Sequence, residues 1–161
     1  MDIRGEVATD VKSIRALHIG AFPTAAEADL LERLRSDGDA VFSLVATHGE
    51  RIIGHVMFSR MGEPAESLGL APVAVLASHR RHGVADALIR HGLQLAKGSG
   101  WKWVFVLGGD YYRRFGFDPA LAAGLTSCYA GPHLMGLALQ PDELPPRAGR
   151  LEYAKAFAAL D

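Results

Sequence analysis

A single cysteine, Cys128, stands among 161 residues, so no intrachain disulfide can form and a reducing compartment, the cytoplasm, is expected. Nothing beside Cys128 would activate a thiolate. No apolar run approaches the ~18 residues needed to span a bilayer, so no membrane partner is expected. Met1-Asp2-Ile3-Arg4-Gly5-Glu6 is not a signal peptide. Neither sign of charge is in excess: 17 Lys and Arg against 18 Asp and Glu leave a net charge of -1, which argues against a nucleic-acid partner. The seven histidines form no His-Glu-x-x-His and no Cys-x-x-Cys accompanies them, so no metal is expected. There is no Gly-Lys-Ser/Thr of a P-loop and no G-x-G-x-x-G of a dinucleotide site. Repeats and low-complexity segments are also absent.

What is present is the composition of a globular domain, 49% hydrophobic and 22% charged, long enough for one domain over residues 1–161 with a sizeable core. One stretch stands out, Val73 to Ile89. Val73 to Ala77 is an apolar run of strand length. After Gly83 the period changes to helical: Val84, Leu88, His91 or Gly92, and Leu95 share one face, with Asp86, Arg90, Gln94 and Lys97 opposite. A helix N-terminus leaves backbone N–H groups unpaired and carries partial positive charge. Glycine lets an anion approach that backbone closely, and Arg80 and Arg81, with His79 and His82, add charge beside it. The stretch therefore reads as an anion site suited to phosphate or pyrophosphate. The alternative is an ordinary strand-loop-helix with solvated charges.

Arg80-Arg81-His82-Gly83-Val84-Ala85 resembles the Gln/Arg-x-x-Gly-x-Gly/Ala signature of the GNAT superfamily of acetyl-CoA-dependent N-acetyltransferases. A second block follows in order. Trp101 to Leu107 reads as a strand, and Tyr111-Tyr112-Arg113-Arg114-Phe115-Gly116-Phe117 is similar to that superfamily's aromatic-Tyr-x-x-x-Gly-Phe block. The wording around it resembles a bacterial branch of small acetyltransferases. The resemblance covers about residues 70–117. It implies an α+β (mixed α/β) fold: a central mixed, mostly antiparallel sheet, V-shaped at a splay between two neighbouring parallel strands, flanked by about four helices. It also implies acetyl-CoA as co-substrate. Backbone groups of Val73, Ala74 and Val75 would bond the pantetheine amides. Arg80 and the backbone of Arg81, His82, Gly83, Val84 and Ala85 would hold the pyrophosphate. Two departures stand out: Ala85 replaces the second signature glycine, and Gly108-Gly109-Asp110 shortens the link before the tyrosines.

The remaining chain fits that order. Ile3 to Val7 reads as a strand. Thr9 is a candidate N-cap for a helix burying Val11, Ile14, Leu17 and His18, which Phe22-Pro23-Thr24 breaks. Ala25 to Arg35 is a second helix with Ala28, Leu31 and Leu34 in register. Phe22, Pro23, Thr24 and Glu27 would border an acceptor pocket by resemblance, or serve only as a connection. Val41 to Thr47 and Arg51 to Arg60 read as a hairpin, with Gly54 marking a bulge or close approach. Pro72 interrupts pairing on one side of the strand that follows. Lys97 to Gly100 closes the long helix. Beyond Phe117 a short helix at Pro119 to Ala123, a strand at His133 to Leu139 and a loop at 141–149 are expected. A helix over Ala154 to Leu160 competes with extended chain. An exposed edge strand near the C-terminus leaves a homodimer open.

The chemistry expected is transfer of acetyl to a primary amine of a small molecule or protein. The alternative is a non-catalytic acyl-CoA-binding sensor or module. Acetyl transfer needs a neutral amine, a stabilised oxyanion and a proton for the leaving thiolate. A backbone N–H of Val75 or Leu76 suits the oxyanion. Tyr112, in the position of the family's tyrosine, suits the general acid. Glu63, Glu66, Asp110 and His55 are available as a base, and no spacing selects among them.

Overall fold

A computed structural model describes residues 1–160. Six strands form one sheet in sequence order: β1 (Asp2–Gly5), β2 (Ala40–His48), β3 (Arg51–Arg60), β4 (Ser67–Val75), β5 (Trp103–Leu107) and β6 (Leu134–Ala138). Every neighbouring pair is antiparallel except β4 and β5, which run parallel. Among the described residues there are three α-helices, α1 (Val11–Ala21), α2 (Ala26–Ser36) and α3 (Val84–Gly98), and five short 3-10 segments. That is the mixed, mostly antiparallel sheet expected, with three full helices rather than four. The C-terminal Lys155–Leu160 segment is 3-10 helix.

The parallel pair controls the architecture. β4 and β5 pair only at Ser67, Leu68 and Gly69, opposite Trp103, Val104 and Phe105. Beyond Gly69 the two strands part. On its other edge β4 stays bonded to β3, but the register shifts between Val56 and Phe58, which face Val73 and Leu70. Pro72 lies in that bulge, where its missing N–H is tolerated. The interruption Pro72 causes is thus on the β3 side, and the bend it accompanies carries β4 away from β5.

α3 crosses from β4 to β5 and buries Val84, Leu88, Ile89, Gly92 and Ala96. Of the two alternatives for the third position of that stripe, Gly92 is buried and His91 exposed, and Leu95, expected inside, is exposed. Gly92 sets the rotation, because a Cβ there would lie 2.1 Å from Phe58 Cε1. Gly54 does the same from the sheet: a Cβ would meet Val84 Cγ1 at 2.7 Å. The opposite face of the sheet packs on α1 and α2 through Ile14, Leu30, Leu31, Leu34, Val45 and Met57.

Two local expectations are corrected. Thr9 does not cap α1. Asp10 organises that turn instead, accepting from Val7 N at 2.8 Å and from the Arg4 guanidinium at 2.7 and 3.1 Å. The edge of β6 is not open along its length either, because Asp118 N and O both bond Gly136 at 3.0 Å. No described helix is long and apolar enough to cross a membrane.

Candidate active site

Where β4 and β5 part, a cavity of about 690 Å³ opens. One wall is β4 at Val73, Ala74 and Val75. The floor of the turn follows at His79, Arg80, Arg81 and Gly83, then the first turn of α3 at Val84, Ala85 and Asp86. Tyr111, Tyr112 and Arg114 close it from β5's side, and Ala21 and Phe22 from the end of α1.

The direction of the β4 backbone is fixed by its bonds. Leu76 N donates to Ile53 O at 2.8 Å, so its N–H faces β3 and is already used. Leu76 is therefore not an oxyanion donor. Successive residues present their amides to opposite edges of a strand, so Val75 faces the parted side, and Arg80 Nε reaches Val75 O there at 3.4 Å.

β4 ends at Val75, two residues short of the Ala77 expected, and Ala77–His79 is a 3-10 turn. Arg81 (φ +65°) and Gly83 (φ +80°) are both left-handed. Between these reversals the His82 side chain faces solvent, and His82 is not part of the cavity lining. No side chain caps the α3 N-terminus; its first helical bond is Ala87 N to Gly83 O at 3.0 Å. The N-terminal amides are thus open to an anion.

Asp86 carries a negative charge into this basic corner. Tyr111 donates to it at 3.0 Å, Arg114 at 3.2 Å and Arg90 at 3.4 Å. Burial opposes the charge, but these three donors outweigh it and hold the carboxyl below its usual range. Burial and that acceptor push the Tyr111 phenol up to about 12. The Arg114 guanidinium lies 4.2 Å from the Tyr111 ring centre. Tyr111 therefore braces Arg114 and Asp86. Tyr112 packs on Gly108, where a Cβ would lie 2.4 Å from its ring, and burial raises its phenol. The short Gly108-Gly109 link thus fits the tyrosine it precedes.

Other expected residues are elsewhere. Phe22 lines the cavity, but Pro23, Thr24 and Glu27 do not; Thr24 Oγ1 instead accepts from Ala26 N at 3.2 Å where α2 begins. None of the four candidate bases lines it. Glu63 bridges Glu152 through its backbone, Glu66 pairs with Lys102 at 3.3 Å, and Asp110 is exposed beside Arg113. His55 is buried, with both ring nitrogens bonded. Among the described residues no group of three or more His, Cys, Asp or Glu could hold a metal.

Asp86, Arg114 and Tyr153 were not singled out from sequence. The Tyr153 ring covers Gly69, the last paired residue before the strands part, within 2.8 Å of where a Cβ would stand. Its hydroxyl is buried without a partner, and burial raises it far above the usual tyrosine range. The only sequence sign of this was a glycine in an otherwise apolar strand.

Residues 11–117 match the model of the acetyltransferase (GNAT) family. The chain belongs to that family. It is 36% identical to the uncharacterized N-acetyltransferase YhbS of Escherichia coli K12, across 98% of each chain. It is 37% identical to YjhQ of the same organism over 69% of this chain and 66% of the other. Two solved GNAT structures superpose on it. One is YhbS from Escherichia coli in complex with CoA, with TM-score 0.90 and 35% identity over 98% of this chain and 91% of that one. The other is a GNAT acetyltransferase from Brucella melitensis in complex with acetyl-CoA, with TM-score 0.81 and 32% identity over 97% of both chains.

Proposed function

We propose that this chain, as one domain over residues 1–161, transfers an acetyl group from acetyl-CoA to a primary amine of a small molecule or protein by direct attack on the thioester. Two relatives above 30% identity are described in complex with CoA or acetyl-CoA, and this supports the same donor here. The observation that carries the reading is the composition of one cavity, which unites the unpaired edge of β4, the open N-terminus of α3 and the Tyr112 phenol.

In this reading the diphosphate lies on the amides of Arg81 to Ala85, with Arg80 beside it. The pantetheine arm lies along Val73 to Val75 and extends the sheet on the side where β5 has left. The Val75 N–H stabilises the oxyanion as the amine attacks. Tyr112 donates a proton to the departing sulfur. Its burial keeps the phenol protonated at neutral pH, as an acid requires. The retention of a tyrosine on the cavity wall weighs against a module that binds acyl-CoA without turnover.

The test is CoA release measured against a broad panel of amines, beside thermal shift with acetyl-CoA. The expected result is a thermal shift together with CoA release on part of the panel. A large shift with no release on any amine would overturn the transfer reading. No shift at all would overturn the donor as well.

A further inference from the structure

Asp86 is a carboxylate in the wall of a cavity otherwise suited to anions. It is the third residue of α3, directly after Ala85, and it lines the cavity together with Tyr111 and Arg114. Its Oδ1 accepts from the Tyr111 hydroxyl at 3.0 Å and from Arg114 Nη1 at 3.2 Å, and its Oδ2 accepts from Arg90 Nε at 3.4 Å. Each guanidinium also lies over a ring. Arg114 is 4.2 Å from the centre of Tyr111, and Arg90 is 4.9 Å from the centre of Phe115. The two rings meet edge to face with centres 5.5 Å apart. Asp86, Arg90, Tyr111, Arg114 and Phe115 thus form one shelf beside the first turn of α3.

A guanidinium offers a ligand either its N–H edge, which suits phosphate and carboxylate, or its face, which suits a planar ring. In Arg114 the bond to Asp86 fixes the plane of the group, and Tyr111 covers one face. The side chain keeps 51% exposure and lines the cavity, so the face turned away from Tyr111 is the one a ligand meets. A phosphate over that face would find no N–H edge and would stand against the Asp86 charge. A flat aromatic heterocycle would find a cationic plane already held at a fixed angle. Two guanidiniums against one carboxylate leave the shelf net positive, so it still belongs to the attractive field of the corner.

We propose that the adenine base of acetyl-CoA stacks on the outer face of Arg114, with Asp86 and Tyr111 as positioning residues that hold this face toward the cavity. This rests on the acetyl-CoA reading above and extends it from the diphosphate to the base. With the diphosphate on the amides of Arg81 to Ala85 and the pantetheine arm on β4, the nucleoside end leaves on the side of Asp86, the next residue of α3. Stacking takes up the ring and asks nothing of its edge, which fits a shelf whose polar groups are bonded to one another.

The experiment is calorimetric titration of the whole chain with acetyl-CoA, with 3′-dephospho-acetyl-CoA, and with acetyl-4′-phosphopantetheine, which lacks the nucleoside. Arg114→Ala should weaken the first two by the same factor, about tenfold, and leave the third unchanged. Arg114→Lys keeps the charge and loses the plane, so it should lose nearly as much as Arg114→Ala. Asp86→Asn releases the Arg114 edge to phosphate, so the preference for acetyl-CoA over its 3′-dephospho form should rise. A loss in Arg114→Ala confined to acetyl-CoA would assign Arg114 to the 3′-phosphate and overturn the stacked base. Wild-type affinity in Arg114→Lys, or an equal loss on acetyl-4′-phosphopantetheine, would overturn it too. An unchanged preference in Asp86→Asn would overturn the positioning role. Wild type that binds neither form of acetyl-CoA overturns the donor reading and the base site with it. Wild type that binds both, with Arg114→Ala binding them as tightly, overturns the base site alone.

Discussion

At the scale of single residues, Tyr112 and Gly83 separate chemistry from binding. Tyr112→Phe removes a proton donor and leaves the ring on Gly108. It should lower kcat by about 10²–10⁴ with acetyl-CoA affinity unchanged, measured by CoA release beside calorimetric titration. Equal turnover would remove the phenol from the reaction. Gly83 has open space around a Cβ but a φ of +80°. Gly83→Ala therefore isolates backbone strain, about 1 kcal/mol of stability. Gly83→Asp adds a negative charge against the diphosphate and should weaken acetyl-CoA binding well beyond Gly83→Ala. Equal affinity in the two variants would mean that the phosphates lie elsewhere. These two positions were readable because each follows a local rule: a glycine opening a helix, and a tyrosine four residues before Gly116-Phe117. Asp86 and Tyr153 were not, because their roles arise from partners 25 residues or more away in sequence, Tyr111 in one case and Gly69 in the other.

Between elements, α3 docks on β3 through glycine. Gly92→Ala gains helix propensity of about 1 kcal/mol but drives a methyl into the Phe58 ring. Overpacking of this kind costs about 1–3 kcal/mol, so a net loss in urea midpoint is expected. Phe58→Leu in the same chain should recover part of it; a stabilised Gly92→Ala would mean that the ring moves freely. The contact between α1 and β3 makes a pH prediction. His18 is held neutral in the fold with its pKa lowered from 6.5 to about 4, and His55 is also lowered, by burial, by His18 and by Arg35. Between those limits the unfolded chain binds protons that the folded chain refuses, so stability rises with pH across this window and is lost on acidification. For His18 alone the loss is on the order of 3 kcal/mol. Urea midpoints at about pH 7.5, 6 and 5 should therefore fall; a flat series would mean that the pair is solvated. Strand and helix periods were legible in the sequence, and so were the hairpin and the crossover. The rotation of α3 was legible only in part: the period allowed His91 or Gly92 and placed Leu95 inside, whereas the docking glycine selects the face with Gly92 and Ala96. His18 was readable as buried, but no local pattern joins it to His55 across 37 residues.

For the molecule as a whole, the sheet is two arms joined at three parallel residue pairs, β1 to β4 on one side and β5 to β6 on the other. Below the splay the arms share a core, in which Val56, Phe58 and Leu70 meet Val104, Val106 and Met135. Above it no ladder joins them. A ligand in the cavity would touch β4 from one arm, Tyr112 and Arg114 from the other, and the α3 turn between. It should therefore act as a clamp on both arms. At a hundredfold excess over Kd, binding to the folded state alone adds about 2.7 kcal/mol, which for a chain of this size raises Tm by roughly 5–10 °C. The phosphate contacts should supply much of this. Acetyl-pantetheine, which lacks the phosphates, should give a much smaller shift than acetyl-CoA at equal concentration. The acetyl-CoA shift should shrink as salt rises, because Arg80, Arg81 and Arg114 are screened. Free CoA should stabilise about as well as acetyl-CoA, since the acetyl group adds little surface. An equal shift from acetyl-pantetheine would locate the binding energy in the strand edge alone and leave the α3 N-terminus without a ligand to hold.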